Sequence, residues 1–316
     1  MSLRYLAGVA LLLAAAACSS STNTLPPQTF APATGSLPLR GFAAGGRGFT
    51  VKDFTYHIMP LRVRRAHANA GGGGLQYPDD LTNYGAPLMK AAAAHNIYVN
   101  CPAKERCWGA PEAFQTKLAG SKFAGMLTQY TGSAPSAYTF ADSASVSWKV
   151  YPNTALYEND LFAIIHQVAA ASKKTGLDNE YHVFLPKGTD TCFDFYAQCY
   201  SPDNPSTSAF CAYHGTVDYS DIGLVVYSIE PYQDIKGCLT KKSSGASELT
   251  NSTISTLAHE TFESITDPGP KLAWYNFVGG EIGDECEFFV ASVNLGGTVY
   301  NTQPMYSNKY HACATH

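Results

Sequence analysis

Nine cysteines constrain this 316-residue chain more than any other feature. Eight of them lie at Cys101, Cys107, Cys192, Cys199, Cys211, Cys238, Cys286 and Cys313, while Cys18 stands apart near the N-terminus. No pair has the CxxC spacing of a zinc knuckle, so a thiolate-ligated metal is disfavoured. An even set instead reads as a disulfide framework formed in an oxidising compartment. Local spacing pairs 101–107, 192–199, 211–238 and 286–313, one choice among the roughly 105 connectivities open to eight cysteines. Scattered buried thiols are the alternative. An oxidised Cys211 has no thiolate, which removes it as a nucleophile.

The N-terminus agrees with export. Arg4 precedes an unbroken apolar run over 6–17. Such a run suits a signal-peptide core and falls short of the about 20 residues that span a bilayer. Ala15-Ala16-Ala17-Cys18, followed by Ser19-Ser20-Ser21-Thr22, resembles a bacterial lipoprotein signal, with Ala15 where that motif usually has Leu. Cleavage after Ala17 without lipidation is the alternative. The expected organisation is a signal peptide over 1–17, a lipoprotein-type tether over 18–50 and one domain over 51–316. The chain is expected to be a monomer, exported to the bacterial cell envelope through a lipid on Cys18, or secreted.

Composition narrows the partners. Apolar residues make up 45% of the chain, enough for a sizeable core. Charged residues make up only 15% and the net charge is -4, which disfavours nucleic-acid binding. The cluster Arg62-Val63-Arg64-Arg65 adjoins a glycine run at 71–74 and reads as a solvated linker. That run has neither the Lys nor the helix of a phosphate-binding loop.

Periodicity predicts helices and strands in alternation. Strands are expected over 51–60, 97–99, 181–185 and 222–229. A helical stretch over 113–130 is interrupted at Gly120. Another helix starts with Asn159 as cap and buries Leu161, Ile164, Ile165 and Val168, with Gly176 as its stop. Residues 190–215 read as a cysteine-rich loop. The expected class is α/β or α+β: a mixed twisted sheet stabilised by disulfides, with a functional helix beneath it.

That helix carries the chemistry. Asn251 or Ser252 caps it and Pro268 ends it. Ile254, Leu257, Ala258, Phe262 and Ile265 form its apolar stripe. His259 and Glu263 are four residues apart, so they share one face and can grip one ion. This is the HExxH zinc helix with Glu263 in place of the second His. In that arrangement the acid after the first His, here Glu260, takes a proton from metal-bound water. A carboxylate-rich set moves preference from zinc toward manganese, calcium or iron. Glu281 or Asp284, in Gly280-Glu281-Ile282-Gly283-Asp284-Glu285-Cys286, would supply the third ligand. A solvated amphipathic helix and a polar turn are the plainer alternatives for these residues. His214 is a further ligand candidate, with a hydrogen bond inside its own loop as the alternative.

Several segments together resemble the EXORDIUM / phosphate-induced family of secreted plant proteins and similar bacterial sequences. They are Ala258-His259-Glu260 with Glu263, Thr266-Asp267-Pro268, Ala273-Trp274-Tyr275, and Glu281-Ile282 with Asp284 and Cys286. Phe210-Cys211-Ala212-Tyr213-His214-Gly215, Tyr181-His182-Val183-Phe184 and Gly85-Ala86-Pro87 extend the likeness upstream. It covers about 84–313 and is dense over 254–286, with Ala86 where the family has Gly. The resemblance implies an exported single domain with a zincin-like helix. Two functions follow as expectations. The first is a metal-dependent hydrolase, a zincin-like metallopeptidase acting on peptide or cell-wall material. There His259, Glu263 and Glu281 or Asp284 hold one divalent ion (zinc, with manganese or calcium possible) and Glu260 is general base. The second is a non-catalytic cell-surface or cell-wall-binding protein with a structural ion at the same place.

Overall fold

Alternating apolar residues along several strands pack both faces of one mixed sheet, which organises the molecule. The structure is a computed structural model and describes residues 33–35, 40–42, 48–61, 79–151, 154–193, 198–202, 208–287 and 289–316. The expected signal peptide over 1–17, Cys18, most of the expected tether over 18–50, Arg62-Val63-Arg64-Arg65 and the glycine run lie outside the described residues. Elements in chain order are β1 (Ala33–Gly35), β2 (Arg40–Phe42), β3 (Gly48–Pro60), β4 (Thr82–Asn83), β5 (Ala92–Val99), α1 (Pro111–Leu118) and α2 (Thr128–Thr131). They continue with β6 (Tyr138–Val146), α3 (Glu158–Ser172), β7 (Asn179–Phe184), β8 (Thr191–Phe193), β9 (Gln198–Tyr200), β10 (Phe210–Tyr219) and β11 (Gly223–Glu230). The last are α4 (Glu248–Thr266), β12 (Trp274–Tyr275), β13 (Ala291–Leu295), β14 (Thr298–Thr302), β15 (Met305–Ser307) and β16 (Ala312–Ala314).

Six long strands run in the order β3-β10-β11-β7-β5-β6. β3, β10 and β11 are antiparallel, and β11, β7, β5 and β6 are parallel. β1 and β2 pair with β3, so the folded body reaches back into the stretch read as a tether. Side chains alternate between the two faces. Tyr181, Val183, Val225 and Tyr227 pack with α3, whereas Phe184 and Val226 pack with α1 and α4. The class is the mixed α/β arrangement that the periodicity predicts.

Helix ends differ from expectation where side chains are needed elsewhere. The cap of α3 is Tyr157, whose N–H donates to Asp160, so Asn159 is inside the helix. Its last residue is followed by Lys173 in the left-handed region, three residues before Gly176. α4 begins at a Ser247 cap that accepts the Thr250 N–H. Asn251 and Ser252 are interior because they hold the preceding segment: Asn251 Nδ2 donates to the Lys241 carbonyl and Ser252 Oγ accepts the Thr240 N–H. The break at Gly120 is present, since α1 ends at Leu118 and α2 starts at Thr128. The 190–215 stretch is not all loop: it holds β8, β9 and the start of β10.

Four disulfides join Cys101–Cys107, Cys192–Cys199, Cys211–Cys238 and Cys286–Cys313, the pairs that spacing suggests. Such a set points to an extracellular or otherwise oxidising environment. Among the described residues no helix is long and apolar enough to cross a membrane. Cys211–Cys238 ties β10 to the segment after β11 across a separation of 27 residues. Replacing both by Ser should lower stability by about 3 kcal/mol, measured by urea unfolding under non-reducing conditions.

Candidate metal centre

α4 is buried on every side from Asn251 to Thr266. One side meets β10 and β11; another meets β14 and α1. An apolar stripe alone would leave its polar side facing water, as a surface helix does. Here the polar side is covered as well, and its groups must find partners inside the protein.

His259 and Glu263 meet as their spacing requires, with Nε2 to Oε2 at 3.0 Å. Asp284 Oδ1 lies 3.9 Å from the same His259 nitrogen. Glu263 Oε1 accepts the N–H groups of Gly283 and Asp284, both at 3.1 Å, which fixes the carboxylate against the 281–286 turn. Gly283 makes that approach possible: a Cβ there would sit 2.5 Å from His259 Nδ1 and 2.7 Å from Glu263 Oε1. His259, Glu263 and Asp284 each offer a ligand atom, all within 4.8 Å of one another. Metal–ligand bonds of about 2.0–2.2 Å place neighbouring ligand atoms about 3–3.5 Å apart, so this spacing fits a divalent ion.

Glu281 goes elsewhere. It joins His57 of β3 and His214 of β10, again with potential ligand atoms within 4.8 Å. Of the two candidate third ligands, Asp284 is therefore the one grouped with His259 and Glu263. His214 is in strand β10, not a loop, and stands directly across from His57 in the β10–β3 register. Gly215 beside it lets the strands close up, because a Cβ there would collide with the Thr55 carbonyl. Glu260 is 0% exposed, and its Oε2 lies 3.1 Å from His214 Nδ1. Glu263 Oε2 lies 3.6 Å from that nitrogen, so His214, Glu260 and Glu263 form a third overlapping group.

Sequence reasoning missed His57, Gln303 and the role of Tyr275. Gln303 Nε2 lies 2.9 Å from His259 Nδ1 and donates to the Gly283 carbonyl at 2.7 Å. Tyr275 is buried; its hydroxyl donates to Asp267 and lies 2.8 Å from His57 Nδ1. None of these has a local motif. The pairing of β3 with β10 sets His57 opposite His214, and there it meets Glu281 from 224 residues away in sequence.

Burial without a cationic partner shapes the protonation of this cluster. His57, His214, His259, Glu260, Glu263, Glu281 and Asp267 are all buried, and no Lys or Arg is among the buried described residues. Burial pushes Glu263 up to about 8 and Asp267 up to about 7, and raises Glu260 and Glu281 well above the usual carboxylate range. Burial lowers His57 to about 3 and His214 further below its ordinary value. Neighbouring carboxylates reinforce the rise at Glu260 and Glu281. His57 Nε2, His214 Nε2, Glu260 Oε1 and Glu281 Oε1 are buried without a hydrogen-bond partner. Buried ring nitrogens and carboxyl oxygens without partners are a donor set that a metal ion can satisfy. Buried His, Glu and Asp groups here could hold such an ion.

Comparison with protein-family models, with curated proteins and with solved structures gives no match. The chemistry of this centre rests on its own geometry.

A second buried polar network lies along the same sheet face. Glu230 Oε1 accepts from Ser228 Oγ, which lies 2.8 Å from His182 Nδ1. Burial raises the Glu230 carboxyl from 4.5 to about 7. The unfolded chain therefore releases this proton first as pH rises, and Glu230 destabilises the fold progressively between those two values. Glu230→Gln cannot titrate. Its stability relative to wild type should rise by about 2–3 kcal/mol between about pH 5 and about pH 8, read from urea unfolding at each pH.

Proposed function

We propose that this chain is an exported metalloprotein in which a divalent ion on His259, Glu263 and Asp284 fastens α4 to the 281–286 turn. One observation carries the proposal: the acids and imidazoles around α4 are buried with no Lys or Arg among them. One imidazole and two carboxylates suit zinc, manganese or calcium. The Gln303 amide nitrogen lies against His259 Nδ1 and donates to the Gly283 carbonyl, so it holds the ring against the 281–286 turn.

Burial supports one of the two expected roles over the other. A catalytic ion keeps an open position, and a structural one is closed. His259 and Glu260 are 0% exposed, and the Asp284 side chain only 9%. No peptide reaches Glu260 in this conformation, which supports a structural ion in a cell-surface or cell-wall-binding protein. The likeness to EXORDIUM proteins and the lipoprotein-type signal at Cys18 agree with that placement. Hydrolysis is the second reading, favoured by Glu260. It stands beside the ligands, outside their group, with Oε1 unpartnered. A bound ion would there supply a polarised water, and Glu260 would take its proton.

Elemental analysis of the purified full-length chain, with EDTA-stripped protein as control, tests the proposal. Bound metal should resist dialysis, and restoring zinc at about 100 times Kd should raise stability by about 2.7 kcal/mol. Asp284→Asn should abolish binding at this site. Glu260→Gln should keep the ion, and loss of a peptide-hydrolysing activity in that variant would establish the second reading. Metal-free protein whose stability ignores added zinc, manganese and calcium would overturn both. Gln303→Ala should weaken affinity by about 10–100-fold while the fold, followed by circular dichroism, stays intact.

A further inference from the structure

We infer that His57, His214 and Glu281 form a second divalent-ion site, separate in its ligands from the one on His259, Glu263 and Asp284. The three residues come from β3, β10 and the turn after β12, so the ion would tie the sheet itself to that turn. It does not depend on the α4 site being correct, because no residue is shared between the two ligand sets.

The geometry is a single carboxylate between two imidazoles. Glu281 Oε2 lies 2.9 Å from His57 Nδ1, and Glu281 Oε1 lies 3.8 Å from His214 Nε2. The two rings stack at 4.6 Å between centroids and 23° between planes, so both meet the same carboxylate from adjacent strands. His214 turns one nitrogen to each side. Its Nδ1 lies 3.1 Å from Glu260 Oε2 and its Nε2 lies 3.8 Å from Glu281 Oε1. That distance is too long for a hydrogen bond, and neither atom has any other partner. His57, His214 and Glu281 are 5%, 0% and 2% exposed, so water does not compensate.

Two buried polar atoms this close, with no hydrogen bond between them or to anything else, are the pair a bridging cation would satisfy. The spans of 2.9 and 3.8 Å, one to each carboxylate oxygen, lie near the about 3–3.5 Å expected between ligand atoms on one zinc-sized ion, and one ligand atom from each of the three residues falls within 4.8 Å of the others. Two imidazoles and one carboxylate select a first-row divalent metal over calcium or magnesium. At His57 the ion would take the place of the Nδ1 proton that now faces Glu281, as coordination commonly displaces ligand protons. Tyr275, whose hydroxyl is held by Asp267, lies 2.8 Å from the same nitrogen and orients the ring. His214 separates the two ions, with Nδ1 toward Glu260 and Glu263 and Nε2 toward Glu281.

Equilibrium dialysis of the EDTA-stripped, disulfide-intact full-length protein against zinc gives the direct test. Wild type should bind about two zinc ions, His57→Gln and Glu281→Gln about one, and Asp284→Asn about one. The double variant His57→Gln/Asp284→Asn should bind none. One ion in wild type, lost in Asp284→Asn and unchanged in His57→Gln, would overturn the second site and leave the proposed function standing. One ion lost in His57→Gln and kept in Asp284→Asn would uphold this site and overturn the other. No binding at all would overturn both. If the variants do not fold, zinc-edge X-ray absorption of loaded wild type decides the matter. Three imidazoles shared over two ions support the inference, and one imidazole on one ion overturns it.

Discussion

Polar atoms pointing inward from α4 set the conditions for everything packed around it. A helix lying on a sheet needs one apolar face, and Ile254, Leu257, Phe262 and Ile265 supply it. α4 also carries His259, Glu260 and Glu263, and the layer formed by β13 to β16 with the 281–286 turn leaves these no route to water. Burying an ionised carboxylate without a partner is so costly that the group takes a proton or captures a cation. No buried Lys or Arg is on hand among the described residues. The surrounding elements therefore offer imidazoles and backbone N–H groups: His57 and His214 from the sheet, Gly283 and Asp284 N–H from the turn.

The covalent framework holds those elements in register. Cys286–Cys313 joins the end of the turn to β16, so the segment bearing Glu281 and Asp284 is anchored a few residues beyond its ligands. Cys211–Cys238 holds β10 three residues before His214. Close approach does the rest. Gly283 admits the turn against His259 and Glu263, and Gly215 admits β3 against β10. A side chain at either glycine would move ligands by more than the few tenths of an ångström that a coordination sphere tolerates.

Legibility in the sequence followed the range of each interaction. His259 and Glu263 were readable because one helical turn puts them together whatever surrounds the helix. The disulfide pairs were readable because each closes a short or moderate loop. Strands β3, β7 and β11 were readable from alternation and apolar runs. Helix caps were misplaced by two to five residues because Asn251, Ser252 and Asn159 are good caps in isolation, yet each is inside its helix in the structure. His57 gave no local signal at all. Its place depends on the antiparallel pairing of strands that are far apart in sequence, and on the register that sets it opposite His214. The split of Glu281 from Asp284 was equally hidden, because only the path of the turn around Gly283 sends one to the sheet and the other to α4.

Glu260 is where structure bears hardest on function. In a hydrolytic centre the carboxylate beside the ligands must face both bound water and substrate, so it belongs on a cleft wall. Here it faces the sheet, and its Oε2 is engaged by an imidazole that itself looks toward a second carboxylate. That chain of contacts, from Glu260 through His214 to Glu281, is how a protein fixes a ring so that its far nitrogen is available. Glu260 is thus better suited to orienting His214 than to attacking a peptide. The HExxE spacing that suggests a peptidase in the sequence is, in the fold, covered by the sheet, and that burial is what makes a positioning role for Glu260 the better fit to its contacts.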